Sequence, residues 1–129
     1  MRIGEAAAAA GMTAKTLRFY EDSGLLPEAN RSSNGYRHYN HESVTRLEFI
    51  RRGRAAGLTL AQIREILALR DAGEAPCTHV QELLEVQLAA LDQQIAELTA
   101  LRSSVAALRA TATAQPPASC DPARICSYL

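Results

Sequence analysis

Leu84, Leu88, Leu91, Ile95, Leu98, Leu101, Val105 and Leu108 recur at steps of 4, 3, 4, 3, 3, 4 and 3 residues. That spacing keeps an apolar stripe on one side of an α-helix, in a heptad pattern with one short step, a stammer, near Leu101. A helix of roughly 30 residues runs ~45 Å, more than the diameter of a small domain. A chain of 129 residues therefore cannot cover the stripe by folding back on itself. Self-association into a coiled coil with twofold symmetry is the expected solution. Thr78 and Gln81 have capping-box spacing and predict the start of the helix, and "TATAQPPAS" predicts its end.

The remainder is too short for two independent cores, so one small domain precedes the long helix. Abundant Ala and Leu with two Phe and no Trp favour a mainly α fold. In "RIGEAAAAAGMTAKTLRFYEDSGLL", Ala7, Gly11 and Leu17 have the spacing of a helix-turn-helix, with Thr13 as N-cap of the second helix. Lys15, Thr16 and Arg18 then lie on its exposed face. "RSSNGYRHY" follows, and its Asn-Gly pair predicts a short hairpin, a wing, with Arg31 and Arg37 flanking the tip and Tyr36 and Tyr39 packing inward with hydroxyls free for phosphate. A second helix pair comes next, with Val44, Leu47 and Ile50 as one face, Gly57 at the turn, a Thr59–Gln62 capping box, and Ile63, Ile66 and Leu67 beyond it.

Formal net charge is zero, yet residues 31–54 carry Arg31, Arg37, Arg46, Arg51, Arg52 and Arg54 against Glu42 and Glu48. This basic patch fits phosphate contacts, although Arg51, Arg52 and Arg54 also complement a helix C-terminus. Residues 82–97 carry acidic side chains and no Lys or Arg, which suits a different surface. No run approaches the ~20 apolar residues of a membrane span, and no secretory leader is recognisable. A cytoplasmic protein without membrane contact is expected. No nucleophile–base set, Gly-rich phosphate loop or paired carboxylates are found, so an enzyme is not expected.

The three cysteines are Cys77, at the expected start of the long helix, and Cys120 and Cys126, in "CDPARIC". A helix N-terminus favours thiolate at Cys77. Asp121-Pro122 has the form of an N-cap followed by a first-position Pro, predicting a short helical turn between the other two. Five intervening residues let both sulfurs reach one ion, and a disulfide or redox pair fits the same spacing. Cys77 and Cys120 are separated mostly by helix; in an antiparallel dimer one chain's tail lies beside the start of its partner's helix.

"LRFYEDSGLL", "RSSNGYRHY", the second helix pair and the long helix together resemble the MerR family of bacterial transcriptional regulators over essentially the whole chain. Tyr20, Glu21, Gly24, Leu25, Leu26, Arg31, Gly35, Tyr36, Arg37 and Tyr39 carry the likeness in order and register. One departure is that Pro27 follows Leu26 directly, where the family often has a Pro two residues before the Arg. The resemblance implies a winged helix-turn-helix DNA-binding domain at residues 1–70, a hinge with Cys77 at 71–79, an antiparallel coiled-coil dimerisation helix at 80–111 and a metal-binding tail at 112–129. It implies a homodimer on double-stranded promoter DNA. Effector binding then bends and untwists that DNA until RNA polymerase can use it. DNA-contacting positions by this resemblance are Thr13, Lys15, Thr16, Arg18, Tyr20, Arg31, Tyr36, Arg37 and Arg52, with Arg18 the candidate for base readout.

Within this family the effector is read from the coiled-coil end. By resemblance to its metal-sensing subgroup, Cys120 and Cys126 of one chain join Cys77 of the other. Three thiolates suit a soft or borderline divalent ion: zinc, cadmium, lead or mercury. Zinc and cadmium usually want a fourth ligand, for which His79, Asp121 or water is available, although a solvated His79 is the plainer reading. Copper(I)-type members resemble this tail but carry Ser where this chain has Cys77. A copper(I) sensor and a thiol redox sensor on the same scaffold are the alternatives.

Overall fold

The computed structural model describes residues 1–27, 29–31 and 35–129, without the side chains of Asn30, Arg31 and Ser119. The chain is mainly helical, as expected, and divides into two units, Met1–Leu84 and Glu85–Leu129.

In the first unit, α1 (Ile3–Ala10) and α2 (Ala14–Asp22) form the helix-turn-helix. Gly11 ends α1 at φ 76°, a left-handed conformation that glycine adopts without a Cβ penalty. Thr13 caps α2 as expected, accepting the Thr16 N–H at 3.2 Å. Two short strands follow, β1 (Asn30–Arg31) and β2 (Arg37–His38), paired antiparallel with Asn30 opposite His38 and Arg31 opposite Arg37. Gly35 has φ 83°; its expected turn partner Asn34 lies outside the described residues.

Helices α3 (His41–Ala55) and α4 (Leu60–Asp71) complete the domain. Asn40 caps α3 through the Ser43 N–H at 2.9 Å, and the Thr59–Gln62 capping box is formed in both directions, at 3.1 and 2.9 Å. The core joins Ala6, Ala7 and Ala10 of α1 to Leu17 of α2, to Val44, Leu47 and Ile50 of α3, and to Ile63, Ile66 and Leu67 of α4. Val80 and Leu83 add the first turns of the long helix to it.

That helix, α5, runs Cys77–Ala114, 38 residues and ~57 Å, longer than expected at both ends. It begins at Cys77 and not after a Thr78 cap: the Pro76 carbonyl accepts the Val80 N–H at 2.9 Å, the first turn's own bond. The seam residues in the second unit are all exposed, from 39% at Leu108 to 65% at Leu98, and no residue of α5 is buried.

Candidate nucleic-acid interface and candidate metal centre

The period of α2 decides which of its side chains can reach a partner. Leu17, Tyr20 and Glu21 lie three and four residues apart on one face and are buried. Lys15, Arg18, Phe19 and Asp22 occupy the exposed face, with Thr13 exposed at its start and Thr16 half-buried. Tyr20, expected among the DNA-contacting residues, is 9% exposed and packs in the core. Phe19, not singled out from the sequence, is 52% exposed.

The wing side chains divide in the same way. Tyr36 is 56% exposed, and the Arg2 guanidinium carbon lies 4.3 Å from the centre of its ring, a cation–π contact. Tyr39 is buried and donates its hydroxyl to Glu21 Oε2 at 3.0 Å. The expectation that this hydroxyl is offered to phosphate is therefore corrected. Burial first, and then the bond to Glu21, push the Tyr39 phenol above its ordinary range. Arg37 Nη1 donates to Glu21 Oε1; its guanidinium is held more firmly protonated by Tyr39 and by the Glu21 charge. The Arg31 side chain lies outside the described residues.

Between the start of α1, α2 and β2 opens a cleft of about 740 Å³ whose lining includes Arg2, Glu5, Arg18, Asp22, Tyr36 and Arg37. Arg2, Arg18 and an exposed aromatic ring offer donors and a stacking face to an anionic polymer, while Arg37 is paired with Glu21. Glu5 and Asp22 restrict where phosphates can lie.

Much of the basic patch serves the fold. Arg46 gives Nε to the Leu25 carbonyl at 2.7 Å and a two-pronged ion pair to Asp71 at 2.8 and 3.0 Å, which holds the Asp71 carboxyl below its usual range. Arg51 reaches the Ala10 carbonyl at 3.2 Å and Arg54 the Leu58 carbonyl at 2.9 Å. Arg52 is exposed.

The cysteines are free thiols. Cys77 is the exposed first residue of α5. The His79 Nε2 is buried, without a hydrogen-bond partner, and 3.6 Å from Glu65 Oε2. After α5, a 3-10 turn at Pro117–Ser119 leads to a half-buried Cys120. The expected helical turn after Asp121 is instead a reverse turn: Asp121 Oδ1 accepts the Ala123 N–H at 2.9 Å and the Asp121 carbonyl the Arg124 N–H at 3.0 Å. Cys120 Sγ comes 3.7 Å from Ser127 Oγ. The Tyr128 hydroxyl donates to the Gln115 carbonyl at 2.6 Å, and its ionisation is pushed up by burial and then by Cys120 and Cys126. Among the described residues, no three His, Cys, Asp or Glu side chains of a single chain converge as a metal site would require.

Residues 1–70 match the family model described as MerR HTH family regulatory protein, and residues 44–108 that described as MerR, DNA binding. A probable heavy metal-dependent transcriptional regulator of Haemophilus influenzae is 43% identical over 98 residues, 76% of this chain and 77% of that protein. The transcription regulator PbrR691 of Ralstonia metallidurans CH34, solved in complex with lead(II), superposes with TM-score 0.79 at 41% identity, over 93% of this chain and 94% of that one. HiNmlR, a MerR family regulator lacking the sensor domain and solved bound to promoter DNA, superposes with TM-score 0.60 at 28% identity, over 80% and 78%.

Proposed function

Because this chain belongs to the MerR family of helix-turn-helix regulatory proteins, we propose that it is a dimeric, metal-responsive transcriptional regulator that binds promoter DNA and activates by distorting it. The observation that carries the DNA half is the outward set Lys15, Thr16 and Arg18 on α2, capped by Thr13, beside the exposed Tyr36 of the wing. The start of α2 enters the major groove, Arg18 reads a base, and Arg31 and Tyr36 of the wing, with Arg52, contact phosphates. The exposed seam of α5 is the dimer interface. A seam half-exposed over its whole length is stable in water only against an equal surface.

For the effector, the chemistry of the donors supports a soft or borderline divalent ion. Two thiols flank a reverse turn, and a third stands exposed at a helix N-terminus. Cys120 and Cys126 of one subunit with Cys77 of the other would hold the ion, which would draw the thiolates together as a Lewis acid. The relatives solved or named with lead and heavy metals support this class, and zinc, cadmium, lead and mercury all fall within it.

Run-off transcription across a panel of zinc, cadmium, lead, mercury and copper salts tests this reading, with wild type, Cys77→Ser and Cys120→Ala. Both variants should lose the divalent response while still binding promoter DNA. An intact response in Cys77→Ser overturns the cross-subunit site. Activation by oxidant under full chelation would favour a thiol redox switch instead.

A further inference from the structure

Glu21 is the buried charged residue among those described, 8% exposed near the end of the recognition helix. An unpaired carboxylate there would cost several kcal/mol of desolvation, so its environment must supply donors. Both come from one short stretch. Arg37 Nη1 binds Oε1 and the Tyr39 hydroxyl binds Oε2 at 3.0 Å. Residues 37 and 39, two apart on extended chain, face the same side, so a single carboxylate holds both.

Among the described residues, the two-residue strand β2 pairs with the equally short β1, and just beyond it the Tyr39 N–H donates to the Met1 carbonyl at 2.7 Å while the Met1 ammonium donates to the Tyr39 carbonyl at 2.8 Å. A ribbon of that length does not hold its own position; the Met1 bonds tie it to the start of the chain, and the side-chain bonds of Arg37 and Tyr39 to Glu21 tie it to α2, where Lys15 and Arg18 stand. Arg37 meanwhile has its charge matched inside the protein, with 31% of its side chain exposed.

We propose that Glu21 is a positioning residue for DNA binding: through Arg37 and Tyr39 it fixes the wing against α2, and Arg37 serves binding by placing the wing, not as a phosphate-binding cation. This rests on the DNA-binding reading above.

The two roles for Arg37 predict opposite signs for Glu21→Gln. If Arg37 is a restrained phosphate ligand, removing the Glu21 charge frees it, and binding tightens with a salt slope steeper by ~0.9 for each subunit of the dimer. If Glu21 is a positioning residue, binding weakens. The probe is a duplex selected by the wild-type dimer from a random-sequence pool, with affinity measured by fluorescence anisotropy over a salt series. Glu21→Gln should weaken binding about tenfold, and the Glu21→Gln, Arg37→Gln double variant should be no weaker than the weaker single variant.

Phosphate-ethylation interference supplies a readout that general destabilisation does not move. Glu21→Gln should lose the same wing phosphates that Tyr36→Ala loses and keep those under α2. Tyr39→Phe, which keeps the buried ring, should show the same local loss and carries the test if Glu21→Gln melts by circular dichroism. Equal or tighter binding by Glu21→Gln, a uniform loss of interference, or additive losses in the double variant would overturn the proposal. Failure of the wild-type dimer to select any duplex would instead overturn the DNA-binding reading beneath it.

Discussion

Gly53 shows how one atom sets the spacing of two helices. A Cβ built there would lie 3.0 and 3.1 Å from Ile63 Cδ1 and Cγ1, so that the fully buried Ile63 would have to shift by a few tenths of an ångström within a packed core. Gly53→Ala should lower stability by about 1–3 kcal/mol despite alanine's better helix propensity. A urea titration checks the sign, and a gain would mean that α3 and α4 can separate freely. At this scale the sequence was readable where one residue acts on its own backbone: Thr13, Thr59 and Gly11 behave as their types predict. It misled at Thr78, because capping-box spacing recurs one residue inside a helix as easily as at its start. Tyr39 was misplaced because a tyrosine's polar tip says nothing about which way its ring is buried.

Among the elements, α5 and the α3–α4 pair make separate predictions. Leu98, 65% exposed, should be covered in the dimer. Leu98→Asp replaces about 1.5–3 kcal/mol of burial per subunit with a desolvated charge. Sedimentation equilibrium should show a monomer at concentrations where the wild type is dimeric; an unchanged dimer would place the interface elsewhere. Between α3 and α4, the Arg46 pair depresses the Asp71 pKa in the folded state. The folded state therefore releases that proton more readily than the unfolded chain. Its stabilisation is present above the unfolded carboxylate pKa and is lost as pH falls through the depressed folded value. Asp71 is half-exposed, so screening keeps the effect small. Asp71→Asn should slightly lower the neutral melting temperature and flatten its fall in acid; an identical acid limb would show that the pair does not contribute.

For the whole molecule, the proposed centre exists only between two copies, and complementation tests that directly. Homodimers of Cys77→Ser, or of a Cys120→Ala, Cys126→Ala double variant, should retain no ion after gel filtration. A mixed dimer of the two should retain about one, because a single complete ligand set is restored. Metal analysis of the purified dimers checks this, and an empty mixed dimer would rule out the shared site.

The sequence by itself determined the helices, their apolar faces and the unsatisfied seam, because these follow from period and residue type along a single element. The family likeness carried by residues 20–39 was legible for the same reason, as a motif local in the chain. Only the tertiary structure decided how charge is shared between elements. Glu21 closes on Arg37 and Tyr39, Arg46 on Asp71 and Leu25, and Arg51 on Ala10, each across at least 16 residues. A count of arginines cannot separate those offered to a partner from those satisfied within the fold. A guanidinium forms its strong bonds with whatever acceptor packing brings within about 3 Å, and packing is set by contacts remote in sequence.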